Sequence, residues 1–169
     1  MKHTISVTVE NKFGVLARVS GLFSSRGYNI DSLAVGETEN HAVSRMTIVV
    51  EGDDRILEQV MKQLNKLIDV IDVTDLKTGS YVSRELMLMK VRCSGRKRTE
   101  VLEIANVFRA KTIDISHESV ILLVTGTEEK VLAIKQLMEP FGILELTRTG
   151  KVAMLRETNS CGDNGAENK

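Results

Sequence analysis

The stretch T4-ISVTVENKFGVLARVSGL-F23 changes its hydrophobic period in the middle, and that change decides the fold. From Thr4 to Glu10 the apolar residues Ile5, Val7 and Val9 alternate with Ser6, Thr8 and Glu10, the period of a half-buried strand. After the turn-like Asn11-Lys12-Phe13-Gly14, the apolar residues Val15, Leu16, Val19, Leu22 and Phe23 fall on one helical stripe. Gly27 stops that helix. A strand running straight into a helix through a glycine turn is the opening of a layered α/β unit.

Reading outward, Asn29 to Glu37 is expected as a second strand and Ala42 to Glu51 as a third, with Glu39-Asn40 at the hairpin turn. In the third strand Ser44, Arg45 and Thr47 are expected to face out between Val43, Met46, Ile48 and Val50. Gly52-Asp53-Asp54 opens a second helix, its acids at the positive helix end, with a stripe of Ile56, Leu57, Val60, Leu64 and Leu67. Val70 to Leu76 closes as a fourth strand. The order is βαββαβ, the split or ferredoxin-like arrangement.

The pattern recurs more weakly. Leu86–Val91 reads as a strand, and Arg96-Lys97-Arg98-Thr99 leads into a helix with Val101, Leu102, Ala105 and Phe108. Thr112–Ser116 and Ser119–Thr125 form a hairpin. Thr127 caps a helix carrying Val131, Leu132, Leu137 and Met138, and Gly142–Thr147 is the last strand. The expected fold class is therefore α+β, two ferredoxin-like βαββαβ modules over 1–79 and 80–156, joined near Gly79–Arg84. Residues 157–169 are polar, lack large apolar side chains, and read as a disordered tail. Modules this small bury only ~60% of their unfolded surface and leave sheet edges open, so pairing into a dimer or larger assembly is expected.

Composition removes several function classes. Across 169 residues, 23 Lys and Arg balance 23 Asp and Glu, so no global field draws nucleic acid or an anionic membrane. No apolar run approaches the ~20 residues of a membrane span. The N-terminus lacks the pattern of a signal or transit peptide, which points to the cytoplasm. Aromatic residues are 4% with no Trp, which argues against base-stacking platforms.

Catalytic chemistry is thin. Cys93 and Cys161 form neither a disulfide framework nor a zinc site, and both are expected to be reduced and incidental. His3, His41 and His117 read as surface histidines without ligand partners. GxGxxG and GxxxxGK[ST] phosphate loops are absent. The basic group Arg92, Arg96, Lys97 and Arg98 is best read as a solvated loop or partner surface. Asp53-Asp54 is a helix-start device, and Met87 and Met89 are core residues of a strand.

One place has the residues of a binding site. Asn11 supplies an amide, Gly14 lets a ligand approach the backbone, and the first turn Val15-Leu16-Ala17 presents free N–H groups at a positive helix end, which suits a carboxylate. Asn29 can orient an ammonium and a carboxylate. Val15, Leu16 and Ile30 offer an apolar lining. A carboxylate, an ammonium and a branched apolar side chain together describe a branched-chain amino acid.

HTISVTVENKFGVLARVSGLFSSRGYNIDSL, SRMTIVVEGDD, LEQVMKQLNKLIDVIDV and SRELMLMKV, in that order, resemble the regulatory small subunits of acetohydroxyacid synthase (acetolactate synthase), whose N-terminal module is an ACT domain. The resemblance runs from His3 to about Leu155. It implies a non-catalytic chain that activates a catalytic subunit in branched-chain amino acid biosynthesis and confers feedback inhibition, usually by L-valine, at the interface of two ACT modules. It implies effector contacts at Asn11, Gly14, Val15, Leu16, Asn29 and Ile30. It also implies that thiamine diphosphate, Mg2+ and FAD belong to the catalytic subunit, with no cofactor on this chain. One departure stands out: many members carry an acidic residue and Pro before the loop glycine, where this chain has Lys12-Phe13. Phe13 is then placed to pack on the helix or on the ligand. The surfaces expected to meet the catalytic subunit are Arg92–Arg98 and the Leu86–Val91 strand.

Three rival readings have discriminators. An RNA-recognition module shares βαββαβ but needs aromatic residues on its sheet. An enzyme needs convergent catalytic groups. An ACT sensor for a different biosynthetic enzyme would show itself by its partner.

Overall fold

The computed structural model of the chain describes residues 1–156; the expected tail and Cys161 lie outside them. The first unit consists of β1 (Lys2–Glu10), α1 (Val15–Ser25), β2 (Ile30–Glu37), β3 (Val43–Glu51), α2 (Asp54–Leu64) and β4 (Val70–Asp75). A short 3-10 turn at Leu76–Thr78 leads into the second unit. That unit consists of β5 (Tyr81–Arg92), α3 (Arg96–Val107), β6 (Lys111–Ile115), β7 (Ser119–Gly126), α4 (Glu128–Met138), β8 (Ile143–Arg148) and β9 (Val152–Leu155). The first sheet has strand order β2-β3-β1-β4 and the second β6-β7-β5-β8, with β9 added to β5.

The period change at Glu10 is what builds this. Ile5, Val7 and Val9 point from β1 to the helices, and they pack with Met46, Ile48 and Val50 of β3 against Val15, Val19 and Phe23 of α1 and Leu57, Val60 and Leu64 of α2. The second core repeats the arrangement with Met87, Met89 and Val91 of β5, Val120, Leu122 and Val124 of β7, and Val131, Ile134 and Met138 of α4. Asp53 starts α2 as expected, its Oδ1 accepting from the Ile56 N–H at 2.8 Å. Thr127 occupies the corresponding position before α4 but makes no side-chain cap. On α4 the buried stripe is Val131, Ile134 and Met138, while the expected core residues Leu132 and Leu137 are open to solvent.

The two modules match down to their irregularities. In β2 the register slips between Ile30 and Ser32, leaving Asp31 as the extra residue; in β6 it slips between Thr112 and Asp114, leaving Ile113. In β4 it slips past Ile71 and in β8 past Leu144. Bulges at equivalent places re-aim one side chain each and increase the local twist.

Three expectations are corrected by packing between the modules or within one. His3 is not a surface residue: it is fully buried in β1, its Nε2 lies 3.2 Å from the Gly52 carbonyl, and its Nδ1 has no partner among the described residues. Ser44 lies on the helix-facing side of β3 and is buried. Thr47 is buried although it lies on the other face, because the β5–β9 ribbon covers it: its Oγ1 accepts from the Ala153 N–H at 3.3 Å. The residues expected near the junction, Tyr81–Arg84, are the first part of β5 and pair with β9.

Candidate functional site

The β1–α1 loop is held by the hairpin that follows β2. Asn11 Nδ2 donates to Glu37 Oε1 at 3.1 Å and to the His41 carbonyl at 2.9 Å, and the Asn11 N–H donates to the Ala42 carbonyl. Gly14 then starts α1 from the left-handed region, at φ 82, a conformation that glycine adopts without a Cβ penalty. No side chain caps this helix and no acid stands in its first turn. The Val15 N–H turns back to the Lys12 carbonyl at 3.4 Å, and the N–H groups of Leu16 and Ala17 have no partner among the described residues, with the positive end of the helix dipole behind them. Val15 is buried in the core, whereas Leu16 is 42% exposed beside the loop. Phe13 is fully exposed and does not pack on the helix.

Asn29 and Ile30 lie elsewhere. Ile30 pairs with Val50, which pairs with His3 at the start of β1, while Glu37 pairs with Ser44, next to the end of β1. β2 thus runs parallel to β1, and its first residues sit at the opposite end of the sheet from Asn11. The separation over the 8 residues of β2 is ~26 Å at ~3.3 Å per residue. One chain brings Asn11, Gly14, Val15 and Leu16 together, and it brings Asn29 and Ile30 together, but it does not join the two groups. Among the described residues β2 is a sheet edge with no strand paired on its outer side.

Around Asn29 the structure shows what the sequence did not single out. Asn29 Nδ2 donates to Asp31 Oδ1 at 3.1 Å, and Asp31 Oδ2 lies 3.6 Å from Lys2 Nζ. Lys2 reaches on to Glu128 at the start of α4, at 3.8 Å, and Glu128 is bound by Lys151 at 3.0 Å. The Lys151 ammonium holds the Glu128 carboxyl below the usual carboxylate range. Lys2, Asp31, Glu128 and Lys151 line a cleft of about 280 Å³ between the modules, together with Glu85 and Arg148. Glu85 is buried and takes a two-pronged ion pair from Arg148, whose guanidinium is held protonated above its ordinary value by that carboxylate. Such a chain is hard to find in a sequence, because Lys2, Asp31, Glu128 and Lys151 share no spacing.

The equivalent loop of the second module is built differently. Cys93 stands where Asn11 does, donating from its backbone to the Glu118 carbonyl, and its free thiol is buried in the core. Arg98 donates to the carbonyls of Ser116 and His117, both at 2.6 Å, closing the hairpin onto the helix. Of the basic cluster, Arg92, Arg96 and Lys97 remain exposed. Leu86–Val91 is a central strand: Met87, Met89 and Val91 are core, and only its helix-free face, with Leu86 and Leu88, is half-open.

Strands β1 to β4 carry no Phe, Tyr or Trp, so the sheet lacks the stacking surface of an RNA-recognition module. Among the described residues no group of three or more His, Cys, Asp or Glu is placed to hold a metal, and no helix is long and apolar enough to cross a membrane.

Comparison with known proteins gives consistent matches along the chain. Residues 5–72 match the family model described as the AHAS small subunit-like ACT domain. Residues 84–157 match the model described as the small subunit of acetolactate synthase. A probable acetolactate synthase small subunit of Archaeoglobus fulgidus is 60% identical over 156 residues, covering 92% of this chain and 98% of the relative. The acetolactate synthase small subunit of Mycolicibacterium smegmatis is 52% identical over 160 residues, covering 95% of this chain and 94% of the relative. The crystal structure of the acetolactate synthase small subunit of Thermotoga maritima superposes with a TM-score of 0.85 at 41% identity, covering 94% of this chain and 99% of that one.

Proposed function

The chain belongs to the family of acetolactate synthase regulatory small subunits with an ACT domain, and on that premise we propose that it binds L-valine between two ACT modules, activates its catalytic subunit and imposes feedback inhibition on it. The thiamine diphosphate, Mg2+ and FAD of the reaction are assigned to that catalytic subunit, and none to this chain. The reading places the complex in the cytoplasm.

The observation that carries the effector site is the uncapped start of α1 behind Gly14. Its open N–H groups and dipole suit a carboxylate. A bound amino acid also needs an acceptor for its ammonium and a lining for its side chain. Asn29 and Ile30 offer these, but from the other end of the sheet. A two-fold pairing of β2 edges, antiparallel, reconciles the two: it carries Asn29 and Ile30 of the partner subunit to the loop of Asn11 and Gly14, and the same exchange happens twice. The homodimer is thus part of the binding site. Pairing of this kind also covers the unpaired backbone groups of the β2 edge. The neighbouring groove, lined by Ala34, Val35, Val82, Val152 and Met154, adds apolar surface to it.

The second module transmits the state. Its helix-free sheet face, with Leu86, Leu88, Ile121 and Leu123 half-buried, is the surface this reading offers to the catalytic subunit. Discrimination among valine, leucine and isoleucine is expected to be modest, since one methylene is worth ~1–3 kcal/mol.

The test is calorimetric titration of L-valine into the full chain, with glycine as control, followed by valine inhibition of the reconstituted enzyme. Saturable binding of valine with no response to glycine supports the sensor. Absence of valine binding by both the chain and the reconstituted complex overturns it.

A further inference from the structure

Asp31 is the extra residue of the β2 bulge, and the bulge turns its carboxylate away from the sheet ladder toward the second module. One of its oxygens takes the Asn29 amide and the other faces Lys2. Lys2 bridges to Glu128, the first residue of α4. Glu128 is held in turn by Lys151, whose backbone N–H donates to Ser32 Oγ on β2 at 3.1 Å. Lys151 directly precedes β9, which pairs with β5. The side chains of Asp31, Glu128 and Lys151 are 20%, 31% and 16% exposed and that of Lys2 is 55%, so solvent screens the Glu128–Lys151 pair least and the two pairs of Lys2 more. At the same point Gly150 stands at φ 79, and a Cβ there would run into Ser32 Oγ. The two modules approach there as closely as the absence of a side chain allows.

We propose that Asp31, Lys2, Glu128 and Lys151 form an ion-pair latch that couples the strand reading the effector to the second module. This rests on the valine-sensor reading, because the latch begins on the amide of Asn29. A ligand whose carboxylate accepts from the Asn29 Nδ2 competes with Asp31 for that donor, while the Asn29 amide oxygen is left to accept from its ammonium. Asp31 released from Asn29 changes its hold on Lys2, and Lys2 its hold on Glu128. Two arrangements of one polar network, biased by ligand at one end, are what coupling between sites requires. Among the described residues no hydrogen bond or ion pair joins the side chains of Lys2, Glu128 or Lys151 to a candidate effector contact, so effector binding and its transmission are separable by mutation.

The experiment uses the full chain reconstituted with its catalytic subunit, and the variants Lys2→Met, Glu128→Gln and the double variant. Lys62→Met serves as a control, because it removes an exposed pair with Glu58 on α2 at the same cost in charge. Expected are saturable valine binding and full activation in all variants. The half-inhibiting valine concentration should rise at least ~5-fold, the lower end of ordinary allosteric coupling, in each latch variant. The double variant should be no worse than either single one, and the control should behave as the unmodified chain. Raising salt should move the unmodified enzyme toward the latch variants and leave those variants unchanged. The latch is overturned if the latch variants are inhibited as the unmodified chain is, or if their effects add in full. Failure of the unmodified chain to bind valine, alone or in the complex, overturns the sensor reading and the latch with it, and calorimetry distinguishes that result from the others.

Discussion

Asn11 and Glu37, at the ends of neighbouring segments of the first module, are joined by a hydrogen bond of 3.1 Å from Nδ2 to Oε1. The amide nitrogen is therefore already engaged, by Glu37 and by the His41 carbonyl, and the oxygen is the part left for a ligand. Asn11→Ala is expected to cost stability only ~1–2 kcal/mol, since both bonds are exposed. It should weaken valine inhibition by tenfold or more. Thermal unfolding and inhibition assays read the two effects separately; equal inhibition in the variant would remove Asn11 from the site.

Gly14→Asp places a carboxylate where the effector's carboxylate is assigned and forces a side chain into φ 82. The backbone term is ~1–2 kcal/mol, as for a single non-glycine residue in the left-handed region. Gly14→Ala keeps that strain without the charge. Inhibition by valine should vanish in Gly14→Asp and persist, weakened, in Gly14→Ala, while both activate the catalytic subunit. Asn29→His should likewise abolish inhibition and leave activation. If Gly14→Asp or Asn29→His stays fully valine-sensitive, the site is elsewhere.

Glu85 is buried and depends on Arg148. Arg148→Met leaves its carboxylate uncompensated, which costs ~3–5 kcal/mol. Replacing both, as Glu85→Leu with Arg148→Met, should cost clearly less than Arg148→Met alone. Urea unfolding of the three variants checks the order.

Glu128 titrates below its ordinary range because Lys151 is hydrogen-bonded to it. A carboxyl with a lowered folded pKa contributes stability that is complete above the unfolded value of ~4.3 and is lost as pH falls through the folded one. The gap in stability between the unmodified chain and Glu128→Gln should be ~0.2–1 kcal/mol near pH 7, the size of a partly exposed ion pair. It should close as pH drops below ~4. Denaturant unfolding at both pH values measures it, and a gap that widens in acid would contradict the assignment.

Most of the fold was legible because local periodicity and local packing agreed. TISVTVE alternates and does form β1; Asp53 looks like a cap and is one. Where a distant segment decides burial, the sequence misled. Thr47 alternates as if exposed, yet β9, more than a hundred positions away, lies over it. β9 itself, VAML, has no period to announce it and exists through its pairing with Tyr81–Arg84. His3 looked terminal and is core, because β1 begins at Lys2. The candidate site was legible as residue types but not as a place. Chain direction sends Asn29 to the far end of the sheet from Asn11, and no pattern along one chain shows which residues a second copy would contribute in the proposed pairing.

The long strand β5 has a mechanical consequence. Its first residues, Tyr81–Arg84, lie with β9 under the first module, and its remainder is the centre of the second sheet. Twelve residues of strand form a rod of ~40 Å. A rod shared by two bodies turns rotation into travel: by that length, a tilt of ~5° at one end moves the other by ~3.5 Å. The chain is therefore built less like two beads on a string than like a lever whose short arm lies against the first sheet and whose long arm is the centre of the second.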